Sequence, residues 1–247
     1  MFNAEINAGL LQSAVDTVNV LVDECKVRME EDGLHIKAVD PANVGMVELD
    51  VEKESFEKYE ADGEVLGINL ERFDDIVGMA NKGDVVKLRL DEETHKLKIQ
   101  IEGLRYTLSL IDPSSIHQEP NVPDLDLPGE VVVAGAEVKR GIKAAGMVSD
   151  HMAFGVEDGG FYMSAEGDTD DVRVDLGEND VIAVETGGEN AFSLFSLDYL
   201  DSMSKAIPRD AQLTLEIGDD YPVKMNFDIV GGDGHVTYLL APRIENE

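Results

Sequence analysis

The sequence predicts an α+β protein made of two similar domains, each an antiparallel sheet with two helices on one face. A shift of 127 residues superposes the apolar positions of the two halves of this 247-residue chain. Repetition on this scale indicates duplicated domains, because solenoid repeats are shorter. Strand patterns outnumber helical ones in each half, which favours antiparallel sheets partly covered by helices. We therefore expect an N-terminal domain over 1–111, a connector over 112–130 and a C-terminal domain over 131–247.

The first half begins with a strand at 2–6 and an amphipathic helix at about 9–22. A hairpin follows, turning at the sequence EEDG, with alternating apolar residues on both arms. A short strand then leads into a second helix at about 70–81. The strand patterns VVKLRL, KLKIQI and RYTLSLI complete this half as a meander.

The second half repeats this order with a strand at 131–134 and a helix at about 136–148. Its hairpin turns at EDGG, and its second helix covers about 197–206. The strand patterns LTLEI, VKMNFDI and VTYLLA follow. The glycine-rich sequence at 231–235, GGDGH, is most simply the turn of a hairpin.

The connector holds four of the eight prolines in the chain. Proline removes a backbone donor and fixes φ, so the segment is expected to be extended. It also carries apolar Val122, Leu125 and Leu127, which a plain spacer does not need, and this favours a functional connector. The prolines are Pro113, Pro120, Pro123 and Pro128.

The chain is very acidic, with 20 Lys and Arg against 52 Asp and Glu and a formal net charge of −32. The acids are scattered singly and in pairs, whereas an acidic interaction tail would be a block of like charge. We interpret them as a surface adapted to multimolar salt, where the Debye length falls to about 3 Å and self-repulsion is screened. A basic partner such as a histone is the alternative explanation.

Several features indicate a cytoplasmic protein. No apolar run approaches the roughly 18 residues of a membrane span, so we expect no membrane partner. The N-terminus lacks the pattern of a signal peptide. The single cysteine, Cys25, rules out an internal disulfide, fits a reducing compartment and is expected to be a small buried residue.

The basic residues are clustered on the predicted helices despite the acidic background. In the third predicted helix, three cations lie opposite the apolar stripe that would pack on the sheet. Others stand at the ends of the second and fourth predicted helices. The six cations are Lys82, Lys139, Arg140, Lys143, Lys205 and Arg209.

Two interpretations of these six cations stay open on the sequence. They are either ordinary solvated side chains, with Lys82 and Lys205 complementing helix dipoles, or a phosphate-facing surface without sequence preference. The chain has no tryptophan and no aromatic platform between the basic residues, so nothing indicates a reader of bases.

Motifs of known chemistry are missing from the sequence. There is no Walker loop, dinucleotide glycine fingerprint, GxSxG or HExxH, and the histidines share no ligand spacing. The run GDTDDVRVDLGEND lacks the glycine and the final glutamate of a calcium loop. We therefore expect no catalytic residue, metal or cofactor, with a metal-dependent hydrolase built from scattered carboxylates as an alternative.

Several segments together carry a family resemblance: the opening MFNAEI, the segment LHIKAVDPANVGMVELDV, the duplicated halves, the connector and the ending YLLAPRIE. The most specific are Asp40–Val44 and the run from Ala241 to Glu245. With them the chain resembles the DNA sliding clamps of the proliferating cell nuclear antigen family. The resemblance implies the DNA-clamp fold in a ring-forming homotrimer, whose helices line a hole around duplex DNA and which has no catalytic activity. The six cations would then face the DNA.

The resemblance also implies that subunits join by pairing edge strands. Here Arg105–Ile111 of one chain would pair with Val172–Leu176 of the next, which would remove the open edges of each half. The expected interface residues are Arg105, Tyr106, Leu108, Leu110, Val172, Val174 and Leu176.

The implied partners are a clamp loader, DNA polymerase, flap endonuclease and DNA ligase, acting in replication and repair. They dock a short motif that ends in one helical turn with apolar anchors, a helix-in-groove mode. Carried over by position, the groove would use Val39, Val44, Val122, Pro123, Leu125, Pro222, Leu239, Ala241 and Pro242.

One departure from the family pattern concerns the first helix, which usually offers lysines to the hole. Here Gln12, Ser13 and Asn19 stand at those places. With about six phosphate contacts, a tenfold rise in salt costs roughly 10⁵ in affinity. We therefore expect a clamp from a salt-accumulating archaeal halophile that holds DNA by enclosure and slides with weak contacts. An acidic chaperone for basic proteins is the rival, and it would need no ring.

Overall fold

A computed structural model of the chain describes residues 1–120, 125, 127–157, 159–177, 181–185 and 190–243. The chain separates into two compact units. One comprises Met1–Asn121 with Asp228–Val236, and the other Val122–Phe227 with Thr237–Glu247.

The first unit contains two helices and nine strands among the described residues. They are β1 (Asn3–Asn7), α1 (Ala8–Asn19), β2 (Glu24–Met29), β3 (Gly33–Val39), β4 (Gly45–Glu52), β5 (Lys58–Glu60), β6 (Glu64–Asn69), α2 (Leu70–Val77), β7 (Val85–Asp91), β8 (Lys96–Ile101) and β9 (Leu104–Ser109).

These strands form two antiparallel ladders, in the orders β6-β2-β3-β4 and β5-β1-β7-β8-β9. Side chains alternate along each strand, so that in β4 Val47, Leu49 and Val51 are buried while the residues between them are partly exposed. The helices α1 and α2 pack against each other and bury apolar stripes that include Leu11 and Phe73. The core of the unit is therefore formed by the inner strand faces and one side of each helix.

The second unit repeats this construction. Its elements are β10 (Gly129–Ala134), α3 (Gly135–Ala145), β11 (His151–Glu157), β12 (Gly160–Glu166), β13 (Asp171–Leu176), β14 (Ala183–Glu185), β15 (Ala191–Ser196), α4 (Leu197–Ala206), β16 (Gln212–Ile217) and most of β17 (Val223–Ile229) and β18 (Gly234–Leu240), whose adjoining ends fall within Asp228–Val236 of the first unit. The ladders have the orders β15-β11-β12-β13 and β14-β10-β16-β17-β18, and α3 packs against α4.

The duplication predicted from the apolar rhythm is confirmed down to single hydrogen bonds. The first helices begin at Ala8 and Gly135 and the second helices at Leu70 and Leu197, so both pairs are 127 residues apart. The bond from the Gly9 amide to the Lys82 carbonyl (3.3 Å) recurs 127 residues later from Ala136 to Arg209 (2.9 Å). The antiparallel α+β class is thus confirmed, although each unit has two ladders where the sequence predicted one sheet.

Three helices are shorter than predicted, because their last turns loosen into i→i+3 bonds. Beyond α2, the amides of Met79 and Ala80 bond to the carbonyls of Ile76 and Val77. The expectation that Lys82 ends this helix is therefore wrong, because α2 ends at Val77 and Lys82 lies in the following turn. Likewise α1 ends at Asn19 instead of 22, and α3 at Ala145 instead of 148.

The first part of the predicted connector is fixed on the first unit and is not extended throughout. Pro113–Ser115 form one turn of 3-10 helix, and Ile116 is buried. The Glu119 carboxylate accepts a forked pair of bonds from the Arg28 guanidinium, the shortest at 2.8 Å. This segment therefore belongs to the packed part of its unit.

Candidate functional site

The helix pair of the second unit carries most of the predicted DNA-facing cations. On α3, Val138 and Ile142 are buried, while Arg140 and Lys143 are exposed and Lys139 is half-buried. The amphipathic stripe predicted from the sequence is therefore present, and the cations lie away from it.

Lys139 has a cationic neighbour from a different element. The bond from the Ala136 amide to the Arg209 carbonyl (2.9 Å) fixes the loop after α4 beside the start of α3. Burial lowers the pKa of Lys139, and the positive charge of Arg209 lowers it further. Two like charges thus lie close together on this surface.

Two other cations of this surface are paired with acids of their own helices. Arg140 contacts Glu137 at 2.6 Å, and Lys205 contacts Asp201 at 2.9 Å. Exposed pairs of this kind contribute at most about 1 kcal/mol to stability. Because each pair joins one cation to one acid, its net charge is zero, and it attracts a distant anion only weakly.

The corresponding face of the first unit is not basic. Gln12 uses its amide nitrogen to donate to the carbonyls of Val77 (2.8 Å) and Ala80 (3.0 Å), so it closes the end of α2. Burial raises the pKa of Asp16 and the carboxylate of Asp74 raises it further, whereas the exposed Lys82 lowers it. The charge of Lys82 is therefore opposed by neighbouring acids.

The two strands expected to join subunits, β9 and β13, lie at the ends of their ladders. On β9 the face that buries Leu108 also carries Leu104 and Tyr106, which are 38% and 43% exposed. On β13 the face that buries Leu176 carries half-buried valines. These valines are Val172 and Val174. Both edge strands therefore leave part of an apolar core face uncovered.

Some of the expected interface residues are buried or hydrogen-bonded within their own unit. The side chains of Leu108 and Leu176 are 3% and 2% exposed, which leaves their backbone for pairing. Leu110 is half-buried, and the Ile111 amide bonds to the Gly67 carbonyl at 2.9 Å. The strand ends at Ser109, inside the segment Arg105–Ile111 that was expected to pair with a neighbouring subunit.

The Asp40–Val44 segment is a turn held by one buried carboxylate. Asp40 is 4% exposed and accepts the amides of Ala42 (2.8 Å), Val44 (2.7 Å) and Gly45 (2.6 Å). Asn43 adopts a left-handed φ of 56°. The turn presents the half-buried Val44, one of the predicted groove residues.

Val39, the other groove residue of the first unit, lines an open cleft of about 310 Å³. Leu21, Pro41, Ile116 and the buried Cys25 also line it. Burial raises the pKa of the Cys25 thiol to about 12, so it is a thiol and not a thiolate at neutral pH.

One groove residue of the second unit, Pro222, directly follows an ordered turn. Ser193, which is fully buried, accepts the Tyr221 amide at 3.1 Å and contacts the carbonyls of Gly218 and Tyr221. Tyr221 is 52% exposed beside the half-buried Pro222, and Leu127 lies against Gly218. Leu125, Ala241 and Pro242 are half-buried, Leu239 is buried, and Val122 and Pro123 lie outside the described residues.

Three contributors were missed on the sequence. Asp40 belongs to a motif named in the sequence analysis, but its role as the acceptor of three amides was not predicted. That role depends on the turn that brings residues 42–45 back to its carboxylate. Tyr221 and Phe192 are exposed aromatics in the second unit, and an aromatic residue directly before Pro222 was the available signal.

Two features of the described residues bear on other functions. No group of three or more His, Cys, Asp or Glu side chains in this part of the chain could hold a metal ion. No helix found there has the length and apolarity to cross a membrane.

Comparison with known proteins assigns both halves to one family. The family models for the N-terminal and C-terminal domains of proliferating cell nuclear antigen match residues 1–107 and 121–243. The chain is 58% identical over 249 residues to the DNA polymerase sliding clamp of Natronomonas pharaonis and 47% identical over 247 residues to that of Methanosarcina barkeri, with both chains fully covered.

Solved structures agree with this assignment. The structure of the C-terminal region of FEN-1 bound to A. fulgidus PCNA gives a TM-score of 0.94 at 38% identity, with both chains fully covered. PCNA from Thermococcus kodakaraensis gives 0.91 at 27% identity, over 98% of this chain and 100% of the other. The fold is therefore that of a DNA clamp. The chain belongs to the proliferating cell nuclear antigen family, as its sequence motifs predicted.

Proposed function

We propose that this chain is one subunit of a homotrimeric sliding clamp that encircles duplex DNA and tethers DNA polymerase and other replication and repair proteins. The function is mechanical and not catalytic, and it is carried out in the cytoplasm at the nucleoid. Its support is membership of a family whose relatives are named DNA polymerase sliding clamps, several of them from halophilic archaea.

The observation that supports the proposal most strongly is the presence of two unpaired strand edges among the described residues. β9 and β13 each end a ladder, and each leaves apolar side chains of a core face partly exposed. Exposed edges of this kind are normally blocked or paired. Two different edges on one chain give a head-to-tail contact, which closes into a ring when the rotation allows.

Partner binding is supported by surfaces in both units. The ordered turn at Asp40–Val44 and the cleft containing Val39 offer apolar contacts in the first unit. In the second unit, Tyr221 and Pro222 stand on a turn that Ser193 holds. The proposed partners are DNA polymerase, the clamp loader, flap endonuclease and DNA ligase. Each would dock a short peptide with apolar and aromatic anchor residues.

The experiment that tests enclosure uses the topology of the DNA. The chain is loaded with its clamp loader and ATP on a nicked circular plasmid in high KCl, and the plasmid is then cut once. We expect the clamp to remain on the circle and to leave after cutting, because a closed ring can slide off an end. Equal retention on circular and linear DNA would show that adhesion, and not enclosure, holds the protein.

A further inference from the structure

We infer that the ion pair between Arg28 and Glu119 positions the connector for partner binding, so that Arg28 is a positioning residue. The inference rests on the proposed function, in which partner peptides dock beside the connector. The connector residues that this contact holds in place are 116–119.

Arg28 lies on the face of β2 that points away from the core. Its neighbours Val27 and Met29 are buried, and side chains alternate along a strand, so the guanidinium emerges on the opposite face. In the register of β2 with β6, Lys26 pairs with Gly67, which places Gly67 on this same face. Arg28 and Gly67 thus lie on one outer sheet face, on neighbouring strands.

The connector contacts this outer face at both of these residues. The Ile116 side chain is 7% exposed, and its Cδ1 atom lies 2.9 Å from where a Cβ on Gly67 would stand. Further along the connector, the Glu119 carboxylate accepts bonds from Nε and Nη2 of Arg28 at 2.9 and 2.8 Å. An apolar contact on β6 and an ion pair on β2 therefore hold residues 116–119 across the sheet.

The segment held in this way forms one wall of the open cleft of about 310 Å³ that contains Val39. Ile116, His117 and Gln118 line the cleft together with Val39, which is one of the predicted groove residues. Loss of the ion pair would remove one of the contacts that fix this wall. A peptide would then have to order the wall as it binds, which lowers affinity.

The geometry of the ion pair lets it persist in concentrated salt. Forked bonds between arginine and a carboxylate are short and directional, and they fix the orientation of both groups. The bonded atoms are closer together than the Debye length of about 3 Å at 1 M salt, so screening weakens this pair less than it weakens distant charges. Glu119 is also partly buried, with 22% of its side chain exposed.

The internal repeat shows that the fold itself does not require an arginine at this position. At a shift of 127 residues, Arg28 corresponds to Gly155 and His35 to Tyr162. The Tyr162 ring covers Gly155, since its Cζ atom lies 2.2 Å from where a Cβ would stand, and Arg173 stacks 3.8 Å from the ring centroid. The second unit thus covers this face with its own side chains, whereas the first unit carries the connector there.

The test combines connector mobility with peptide binding, both in 2 M KCl. A nitroxide spin label on Gln118→Cys reports the mobility of this exposed connector position. Cys25 stays unlabelled, because the thiol is buried and burial raises its pKa to about 12. Isothermal titration measures binding of a FEN-1 C-terminal peptide to the unlabelled chain. The variants are Arg28→Gln, Glu119→Gln and the two combined.

Lys87→Gln is the matched control for the loss of a paired cation. Lys87 contacts Glu5 at 2.9 Å in the same unit, and its side chain is 49% exposed, against 41% for Arg28. It lies on β7, in the other ladder of the unit. Circular dichroism checks that each variant is folded.

We expect each variant of the ion pair to increase the mobility of the label and to weaken peptide binding by at least about fivefold. Because both side chains belong to one contact, the combined variant should lose no more affinity than either single variant. Arg28→Lys should give an intermediate loss, since an ammonium group cannot form the fork. Lys87→Gln should leave the label unchanged and binding within about twofold.

Unchanged label mobility in Arg28→Gln would overturn the inference, and so would a mobile label with unchanged peptide affinity. Additive losses in the combined variant would overturn it too, because the two residues would then act separately. Failure of the proposed function has a different signature: the unmodified chain itself would not bind the peptide, and the positioning role would fall with it.

Discussion

At the scale of single residues, the Asp40 carboxylate does most to shape a predicted partner surface. It accepts hydrogen bonds from the backbone amides of Ala42, Val44 and Gly45, and this holds Val44 at the surface. Removing it leaves donors without their partner, at a cost of about 1–3 kcal/mol for a buried group.

Asp40→Ala should therefore weaken binding of a FEN-1 C-terminal peptide by about tenfold or more and lower stability by about 1–3 kcal/mol. Asn43→Gly is the matched control, because glycine adopts the φ of 56° at this position without strain. Isothermal titration and urea unfolding in high KCl measure the two effects. Equal affinity for both variants would show that the turn does not position Val44.

His35 gives the first unit a dependence on pH. Burial by itself lowers its pKa, but its contacts with Asp50 (2.6 Å) and Asp32 (3.1 Å) outweigh burial, and the pKa is raised. A group whose pKa is raised by folding stabilises the protein below its unfolded pKa, about 6.5, and loses this contribution as pH rises through the folded value.

We therefore expect His35→Gln to be less stable than the unmodified chain at about pH 6, by up to about 1 kcal/mol because both partner acids are exposed, and the difference to shrink toward pH 9. His95→Asn, at an exposed histidine with a left-handed φ of 50°, is the matched substitution for comparison. Urea unfolding at fixed 2 M KCl makes the comparison. A difference that grows with pH would contradict the assignment.

At the scale of elements, the start of the connector depends on one glycine. The Ile111 carbonyl lies 2.3 Å from where a Cβ on Gly67 would stand, and the Ile116 side chain lies 2.9 Å from it. Gly67→Ala should therefore cost about 1–3 kcal/mol, since backbone must move to make room.

Gly83→Ala provides the control, because nothing lies within 4 Å of its Cβ position. Hydrogen exchange should be faster at Ile111 and Ile116 in Gly67→Ala and unchanged in Gly83→Ala. Protection of both amides equal to that of the unmodified chain would show that the connector is held by other contacts.

The edge strand β9 offers a test of assembly. Tyr106→Asp places a carboxylate on the uncovered core face, whereas Thr107→Asp places the same charge on the opposite face of the strand. We expect Tyr106→Asp to reduce the assembled fraction in 2 M KCl by about tenfold or more and Thr107→Asp to have a smaller effect. Size-exclusion chromatography measures both, and equal assembly would exclude this face from the contact.

The order of helices and strands could be predicted from the sequence, because it depends on the pattern of apolar residues within each segment. Apolar rhythm gave the duplicated order of strands and helices, since Leu70 and Leu197 begin equivalent helices. Helix ends were less predictable, because the side chain of Gln12 closes α2 from another helix. The proximity of Lys139 and Arg209 likewise depends on tertiary packing, and 70 residues separate them in sequence.

At the scale of the whole molecule, charge sets the conditions under which the proposed ring exists. Each chain carries a formal charge of −32, so copies repel one another strongly once screening fades. The Debye length is about 3 Å at 1 M salt and about 8–10 Å at 0.1–0.15 M. We expect a three-chain assembly formed in 2 M KCl to dissociate at 0.2 M, and an unchanged assembly at both would contradict this expectation.

The central claim is that three copies close into a ring through their free edges, and the mass of the particle in solution tests it most directly. Sedimentation equilibrium in 2 M KCl should give about three times the 26.9 kDa of one chain, with no larger species as concentration rises, because a closed ring has no free edge left. A single-chain mass, or growth into an open series of oligomers, would contradict the account.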